Sequence, residues 1–187
     1  MKEKAKLIGL DEAGRGPLAG PVVAGAVRVK GKLNKIGIKD SKKISPKKRE
    51  ELYNYLIASD CIEWGVGIVS EKVIDKINIL EATKLAMKKA LEEIDTDNSY
   101  LIIDGNFKIN VVYPQESVKK ADESVLECSI ASIIAKVKRD KIMEEYHRKY
   151  PLYEFDKNKG YGTKKHIYLV KKHGPCLIHR KTFRGAG

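Results

Sequence analysis

The sequence is short of cysteine, histidine and long apolar runs, and each shortage excludes something. Cys61, Cys128 and Cys176 are the only cysteines, an odd number set far apart with no C-x-x-C pair. Such spacing supports neither a disulfide framework nor a zinc ribbon, and it suits a reducing, cytoplasmic setting. The four histidines, His147, His166, His173 and His179, form no H-E-x-x-H pair, so zinc hydrolysis has no anchor here. No apolar run approaches the ~20 residues of a membrane span. The apolar stretch after the charged N-terminus stops at Asp11 and Glu12, which argues against a secretion signal. No heptad or spare apolar stripe asks for a second copy, so a monomer with no membrane partner is expected.

What is present is a charged, mostly basic chain. Its 187 residues suit one compact domain, or a domain with a small C-terminal extension. Hydrophobic content of 42% and charged content of 33% are those of a globular protein. The net charge is +12, and it is unevenly spread. Residues 1–50 sum to +9 and residues 151–187 to +7, whereas residues 51–100 sum to −5. If the two ends meet in space they make one basic face suited to a phosphate backbone. A scattered lysine-rich surface would give the same sums.

Periodicity and punctuation give a coarse map. Lys6–Leu10, Val22–Val29, Ile62–Val69, Tyr100–Ile103 and Val111–Tyr113 read as strands. Ser45-Pro46 starts a helix, and Ser70 starts a short one ending near Ile77. Asn78 with Glu81 three residues later opens another. A long helical pattern covers Val125 to Tyr146, and Thr163–His173 forms a last helix closed by Gly174-Pro175. Three early strands, then helices alternating with strands, predict a mixed α/β sheet covered by helices.

Four carboxylates stand at places where chemistry could use them. Asp11 and Glu12 directly follow an apolar strand, where two charges are costly unless solvated, paired or bound to a cation. Leaving the strand at that point would let both reach one site. Asp104 ends another strand, and Asp122 precedes the long helix. Each also has an ordinary reading, as a turn residue or a helix N-terminal charge. Taken together they suit hard cations, Mg²⁺ or Mn²⁺, and two such ions about 3.5–4 Å apart support phosphodiester hydrolysis. Gly14, Gly16 and Gly20 loosely match a dinucleotide fingerprint, but Pro17 and Pro21 lead into another β-like run rather than a helix. A backbone that approaches a ligand closely, with Arg15 near a phosphate, is the better reading. Lys42, Lys43, Lys136, Arg139 and Arg180 are further candidates for phosphate contact, or for plain surface charge.

The run from Gly9 to Val23, GLDEAGRGPLAGPVV, closely resembles the N-terminal motif of the type 2 ribonucleases H, the ribonuclease HII family. Asp40-Ser41-Lys42-Lys43 with Lys48-Arg49-Glu50, Ile103-Asp104-Gly105, Lys120-Ala121-Asp122, and Ser129 through Asp140 resemble later motifs in the same order. Lys159 to Thr163 and His179 to Phe183 resemble its C-terminal ones, so the likeness spans residues 7–184. The resemblance implies an RNase H-like fold: a mixed five-stranded sheet flanked by helices, over residues 1–187. A helical portion from about residue 150 would complete the substrate groove. It implies metal-dependent cleavage of RNA in RNA–DNA hybrids and 5′ of single ribonucleotides in duplex DNA. By the same resemblance Asp11, Glu12, Asp104 and Asp122 are the metal-binding carboxylates. Gly14, Arg15 and Gly16 sense the 2′-hydroxyl, and Tyr161 stacks on the following sugar. Lys42, Lys43, Arg180 and Thr182 are expected at the substrate. Cys128-Ser129-Ile130, Gly162 and Thr182 depart from the family's usual residues, and Gly162, where many members have proline, is expected to loosen Tyr161. A resolvase-like nuclease on the same fold and a non-catalytic binding module are the rival readings.

Overall fold

The first strand, β1 (Lys6–Ala13), pairs antiparallel with β2 (Val22–Val29), and β2 pairs antiparallel with β3 (Ile62–Val69). On its other edge β1 runs parallel to β4 (Ser99–Asp104), which runs parallel to β5 (Gln115–Val118). The result is one mixed sheet in the order β3-β2-β1-β4-β5. The computed structural model describes residues 5–33, 38 and 45–186. The Asp40–Lys43 segment, including the candidate contacts Lys42 and Lys43, lies outside them.

Helices cover both faces. Helix α1 (Pro46–Ile57) starts as expected, with Ser45 Oγ accepting from the Lys48 N–H at 3.3 Å. Helix α2 (Glu71–Leu91) is broken at Asn78, whose φ is 67°. The Asn78 Oδ1 accepts from the amides of Leu80 (2.9 Å) and Glu81 (3.1 Å), so this residue caps the second half as its spacing predicts. After β5 come a one-turn helix α3 (Ala121–Ser124) and the long α4 (Leu126–Lys149). A 3₁₀ turn (Pro151–Tyr153), α5 (Phe155–Asn158) and α6 (Lys164–His173) complete the described elements.

Strand alternation decides which residue faces which helix. Ile8, Leu10, Val22, Ala24, Leu101 and Ile103 are buried in the cluster that α2 covers. The residues between them face α4. Gly9 is one: a Cβ there would run into the backbone at Glu127 and Cys128, so its absence lets α4 lie directly on β1.

Two expectations change. The last strand is Gln115–Val118, not Val111–Tyr113. Val112 is 93% exposed, and the Gln115 side chain holds both the amide and the carbonyl of Ile109 at 2.9 Å, pinning 109–113 as a loop. In addition, β1 continues through Ala13 instead of ending at Leu10.

The C-terminal segment straps onto the loop after β1. Ala19 and His179 form an antiparallel bridge, the Arg180 amide donates to Leu18 O at 2.8 Å, and the Leu18 amide donates to Gly160 O at 2.8 Å. The loop after β1 and the C-terminal segment therefore meet.

Candidate active site

The parallel register of β1 and β4 brings the first two carboxylates together. Leu10 pairs with Ile103, so Asp11 and Asp104 are the next residues on neighbouring strands, at the carboxyl ends where α/β sheets open a crevice. Both belong to the set that faces α4. Helix α3 delivers Asp122 to the same place, and the Ala121 amide ties it there by donating to Asp104 Oδ1 at 3.1 Å. Carboxylate oxygens of Asp11, Asp104 and Asp122 lie within 4.8 Å of one another. Asp11 and Asp122 are buried.

Glu12 stands beside this group rather than in it. Its carboxylate is not among the three that converge, and it lines the adjoining cleft instead. It pairs with Arg15 at 3.4 Å, and its other oxygen is buried without a hydrogen-bond partner among the described residues. Glu12 thus lies outside the three-carboxylate group, and each of Asp11 and Glu12 feels its neighbours' charge. Burial, then Glu12 and Asp104, push the Asp11 carboxyl well above the ordinary value. Burial also raises Glu12; Arg15 opposes the shift and Asp104 adds to it. Ser132 of α4 opposes the Asp11 shift.

An all-oxygen donor set of converging, partly desolvated carboxylates fits a hard divalent cation and no soft one. The orphaned Glu12 oxygen and the mutual repulsion within the group both mark a place where positive charge is missing.

A cleft of about 390 Å³ opens next to Glu12. Gly14, Arg15 and Gly16 form one wall, Tyr161 another, and Ser132 and Lys136 of α4 line the floor. Gly14 has φ +101°, and a Cβ there would collide with the Arg139 side chain. Arg15 lies over the Phe107 ring at 5.5 Å, and Tyr161 is 42% exposed. Lys136, Arg49 and the Tyr161 ring give the cleft positive charge and an aromatic face.

Two of the expected phosphate contacts prove to be something else. Arg139 and Arg180 are fully buried. Arg180 donates to the carbonyls of Gly14 (2.6 Å), Arg15 (3.0 Å), Gly20 (2.9 Å) and Pro21 (3.2 Å). Arg139 donates to Ala19, Pro21 and Lys159. Burial and the neighbouring Arg139 pull Arg180 down to about 9, so it remains a cation at neutral pH. These guanidiniums hold the glycine loop from inside and cannot reach a phosphate. Thr182 is exposed, but its hydroxyl donates to Asp75 Oδ1 at 2.7 Å. Lys136 stays at the cleft, paired with Asp140 at 2.6 Å. The sequence signal for the floor was the four-residue spacing of Ser132, Lys136 and Asp140 along one face of α4. Nothing in the sequence separated the buried arginines from surface ones.

The fold and site have known relatives. The ribonuclease HII family profile matches residues 8–185. Ribonuclease HII of Geotalea uraniireducens is 49% identical over 181 residues, 97% of this chain and 83% of that protein. The Caldicellulosiruptor bescii ribonuclease HII is 48% identical over 177 residues, 95% of this chain and 85% of that protein. The crystal structure of the ribonuclease H2 from Pyrococcus horikoshii OT3 matches with a TM-score of 0.77 and 32% identity, covering 97% of this chain and 95% of that one. The five-stranded mixed sheet is accordingly the RNase H-like fold, and the family supports a ribonuclease H-type hydrolase with a three-carboxylate cluster fit for a metal. Matched along nearly its whole length, this chain belongs to the ribonuclease HII family.

Proposed function

We propose that this protein cuts the RNA strand of RNA–DNA hybrids and nicks duplex DNA 5′ of single embedded ribonucleotides, leaving 3′-hydroxyl and 5′-phosphate ends. The observation that carries the reading is the convergence of Asp11, Asp104 and Asp122 within 4.8 Å, beside a cleft walled by the Gly14–Gly16 loop and Tyr161. Asp11, Asp104 and Asp122, with Glu12 at the edge, would hold two Mg²⁺ or Mn²⁺ ions. Bound there, such ions supply water activation and neutralise charge building on the leaving oxygen. The chain's own residues do the rest. The glycine loop presents peptide groups instead of side chains to the substrate, which suits recognition of a 2′-hydroxyl, the group that separates RNA from DNA. Tyr161 offers a flat face for a sugar or base, and Lys136 and Arg49 meet phosphates. The segment from about residue 150 onward completes the groove. A monomer acting in the cytoplasm, in ribonucleotide excision repair and RNA primer removal, completes the proposal.

The test is strand cleavage with Mg²⁺ or Mn²⁺ on a labelled DNA duplex bearing one ribonucleotide. An all-DNA duplex, a long hybrid and an Asp104→Asn variant serve as controls. A metal-dependent nick 5′ of the ribonucleotide, lost in the variant and absent on DNA, is the expected result. Equal cutting of the all-DNA duplex would overturn it in favour of a structure-specific DNA nuclease. Binding without cutting would leave only a nucleic-acid-binding module.

A further inference from the structure

Behind the cleft lies a buried pair of imidazoles that the chemistry above does not use. His166 of α6 is 0% exposed and His179 is 1% exposed, and their Nε2 atoms are 3.1 Å apart. Phe155 packs edge-on to His166 at 5.4 Å, Tyr153 packs edge-on to His179 at 5.0 Å, and neither ring has a carboxylate partner among the described residues.

The protons on these rings can be assigned from their neighbours. The Cys176 backbone N–H can only donate, and it points at His179 Nδ1 at 2.9 Å. The Cys176 carbonyl lies farther from the same nitrogen, at 3.3 Å, and the Cys176 Sγ at 3.1 Å; the shorter amide bond assigns His179 Nδ1 a lone pair and puts its proton on Nε2. That proton is donated to His166 Nε2, which must be bare. The His166 proton is then on Nδ1, where it meets the Tyr161 carbonyl at 2.9 Å. The hydrogen bonds run one way, from the Cys176 amide through both rings to Tyr161. A proton added to His166 would set two Nε2–H donors against each other at 3.1 Å, and one added to His179 would set its Nδ1–H against the Cys176 amide at 2.9 Å.

This chain of bonds ends at one wall of the cleft and passes beside the segment that holds the other. Tyr161 is one wall. His179 bridges to Ala19 and adjoins Arg180, which holds the Gly14–Gly16 wall. We propose that the neutral His166–His179 pair is a positioning element that fixes Tyr161 relative to the glycine loop and so sets how tightly the substrate is held. The inference rests on the substrate role given to Tyr161 above. It also answers the expectation that Gly162 loosens Tyr161: the tyrosine's amide is tied to Asn158 O at 2.9 Å, and its carbonyl is held by both His166 and the Thr163 amide.

The experiment compares His166→Phe, His166→Asn, Tyr161→Ala and the His166→Phe/Tyr161→Ala double variant in the full chain, each first shown to be folded by circular dichroism. Asparagine places its amide nitrogen near the Nδ1 position and so keeps the donor to Tyr161. Phenylalanine keeps the ring and loses it. Loss of one such bond is expected to raise KM on the single-ribonucleotide duplex about tenfold in His166→Phe, with kcat within about twofold. His166→Asn keeps the donor to Tyr161 but loses the acceptor for His179, so it should recover only part of the loss, and the double variant should be no worse than Tyr161→Ala alone. NMR supplies an activity-free reading. His166 should show the Nδ1–H tautomer and His179 the Nε2–H tautomer at pH 7, and the backbone order parameter of Tyr161 should fall in His166→Phe and fall less in His166→Asn. Reversed tautomers, an unchanged Tyr161 order parameter in His166→Phe, or multiplicative losses in the double variant would each overturn the proposal. A silent Tyr161→Ala would instead remove Tyr161 from the substrate reading, and the order parameters would still decide whether the imidazole pair holds it.

Discussion

Arg180 Nη2 donates to the carbonyl of Gly14 at 2.6 Å, so the loop facing the cleft is held by a cation buried behind it. Three more carbonyls, from Arg15, Gly20 and Pro21, share the same guanidinium. Its planar fork of donors is what reaches four acceptors at once. Arg180→Gln should leave several of these oxygens buried and unsatisfied and cost about 3 kcal/mol in a urea titration. The salt dependence of nucleic-acid binding should keep its slope, because no phosphate contact is lost. A slope shallower by about one unit would return Arg180 to the phosphate.

Three carboxylates held within 4.8 Å repel one another when no cation sits among them. Burial and neighbouring charge raise Asp11 well above its ordinary value, so the ionised residue costs stability in the metal-free protein. Asp11→Asn should therefore raise the metal-free melting temperature by about 2–4 °C, corresponding to about 1 kcal/mol. Millimolar Mg²⁺ or Mn²⁺ should raise the melting temperature of the parent far more than that of the variant, while cleavage falls at least ~100-fold. Glu12→Gln should lose less of the metal-induced shift, since Glu12 lies outside the three-carboxylate group. An equal loss in both variants would show that Glu12 ligates as fully as Asp11.

Gly9 lets α4 rest on β1, and α4 follows directly from the turn that carries Asp122. Gly9→Ala would force the helix outward against a close-packed interface. Overpacking of this kind costs about 1–3 kcal/mol. The same shift should weaken cleavage, because Asp122 moves with the start of α4. Thermal unfolding and the strand-cleavage rate, measured on one preparation, should fall together.

Much of this site was legible because two of the acidic residues end apolar runs, Asp11 after Leu10 and Asp104 after Ile103, and Asp122 stands just before the long helix. What the sequence could not supply was strand pairing. Only the parallel pairing of β1 with β4 shows that Asp11 and Asp104 come side by side, with Glu12 outside the converging three. The edge strand was misplaced for a similar reason. Gln115–Val118 is short and polar, whereas Val111–Tyr113 has strand-like residues but is turned into a loop by the Gln115 side chain. Arg180 and Arg139 read as phosphate contacts because a basic residue near a motif carries no mark of burial. Their partners are backbone carbonyls, which every sequence position offers equally.

The buried imidazoles give the protein an acid-sensitive element away from the carboxylates. Burial, with His166 beside it, lowers His179 to about 4, and burial lowers His166 as well. An unfolded histidine titrates near 6.5. Between about pH 6.5 and 4 the unfolded chain therefore binds protons that the folded pair refuses, and stability falls as the pH drops. For His179 alone the loss is about 1.4 kcal/mol per pH unit once the pH is well below 6.5, or about 2 kcal/mol by pH 5. Asp11 and Glu12, whose values are raised, act in the opposite direction, because acid relieves their repulsion. A comparison of variants separates the two. His179→Phe should be less stable than the parent at pH 7, where it breaks the bond to His166, and the gap should shrink by about 2 kcal/mol at pH 5. The carboxylates are common to both proteins and cancel in the difference. A gap that stays constant from pH 7 to pH 5 would mean that the folded pair already accepts a proton, and the one-way hydrogen-bond chain from Cys176 to Tyr161 would then have to be abandoned.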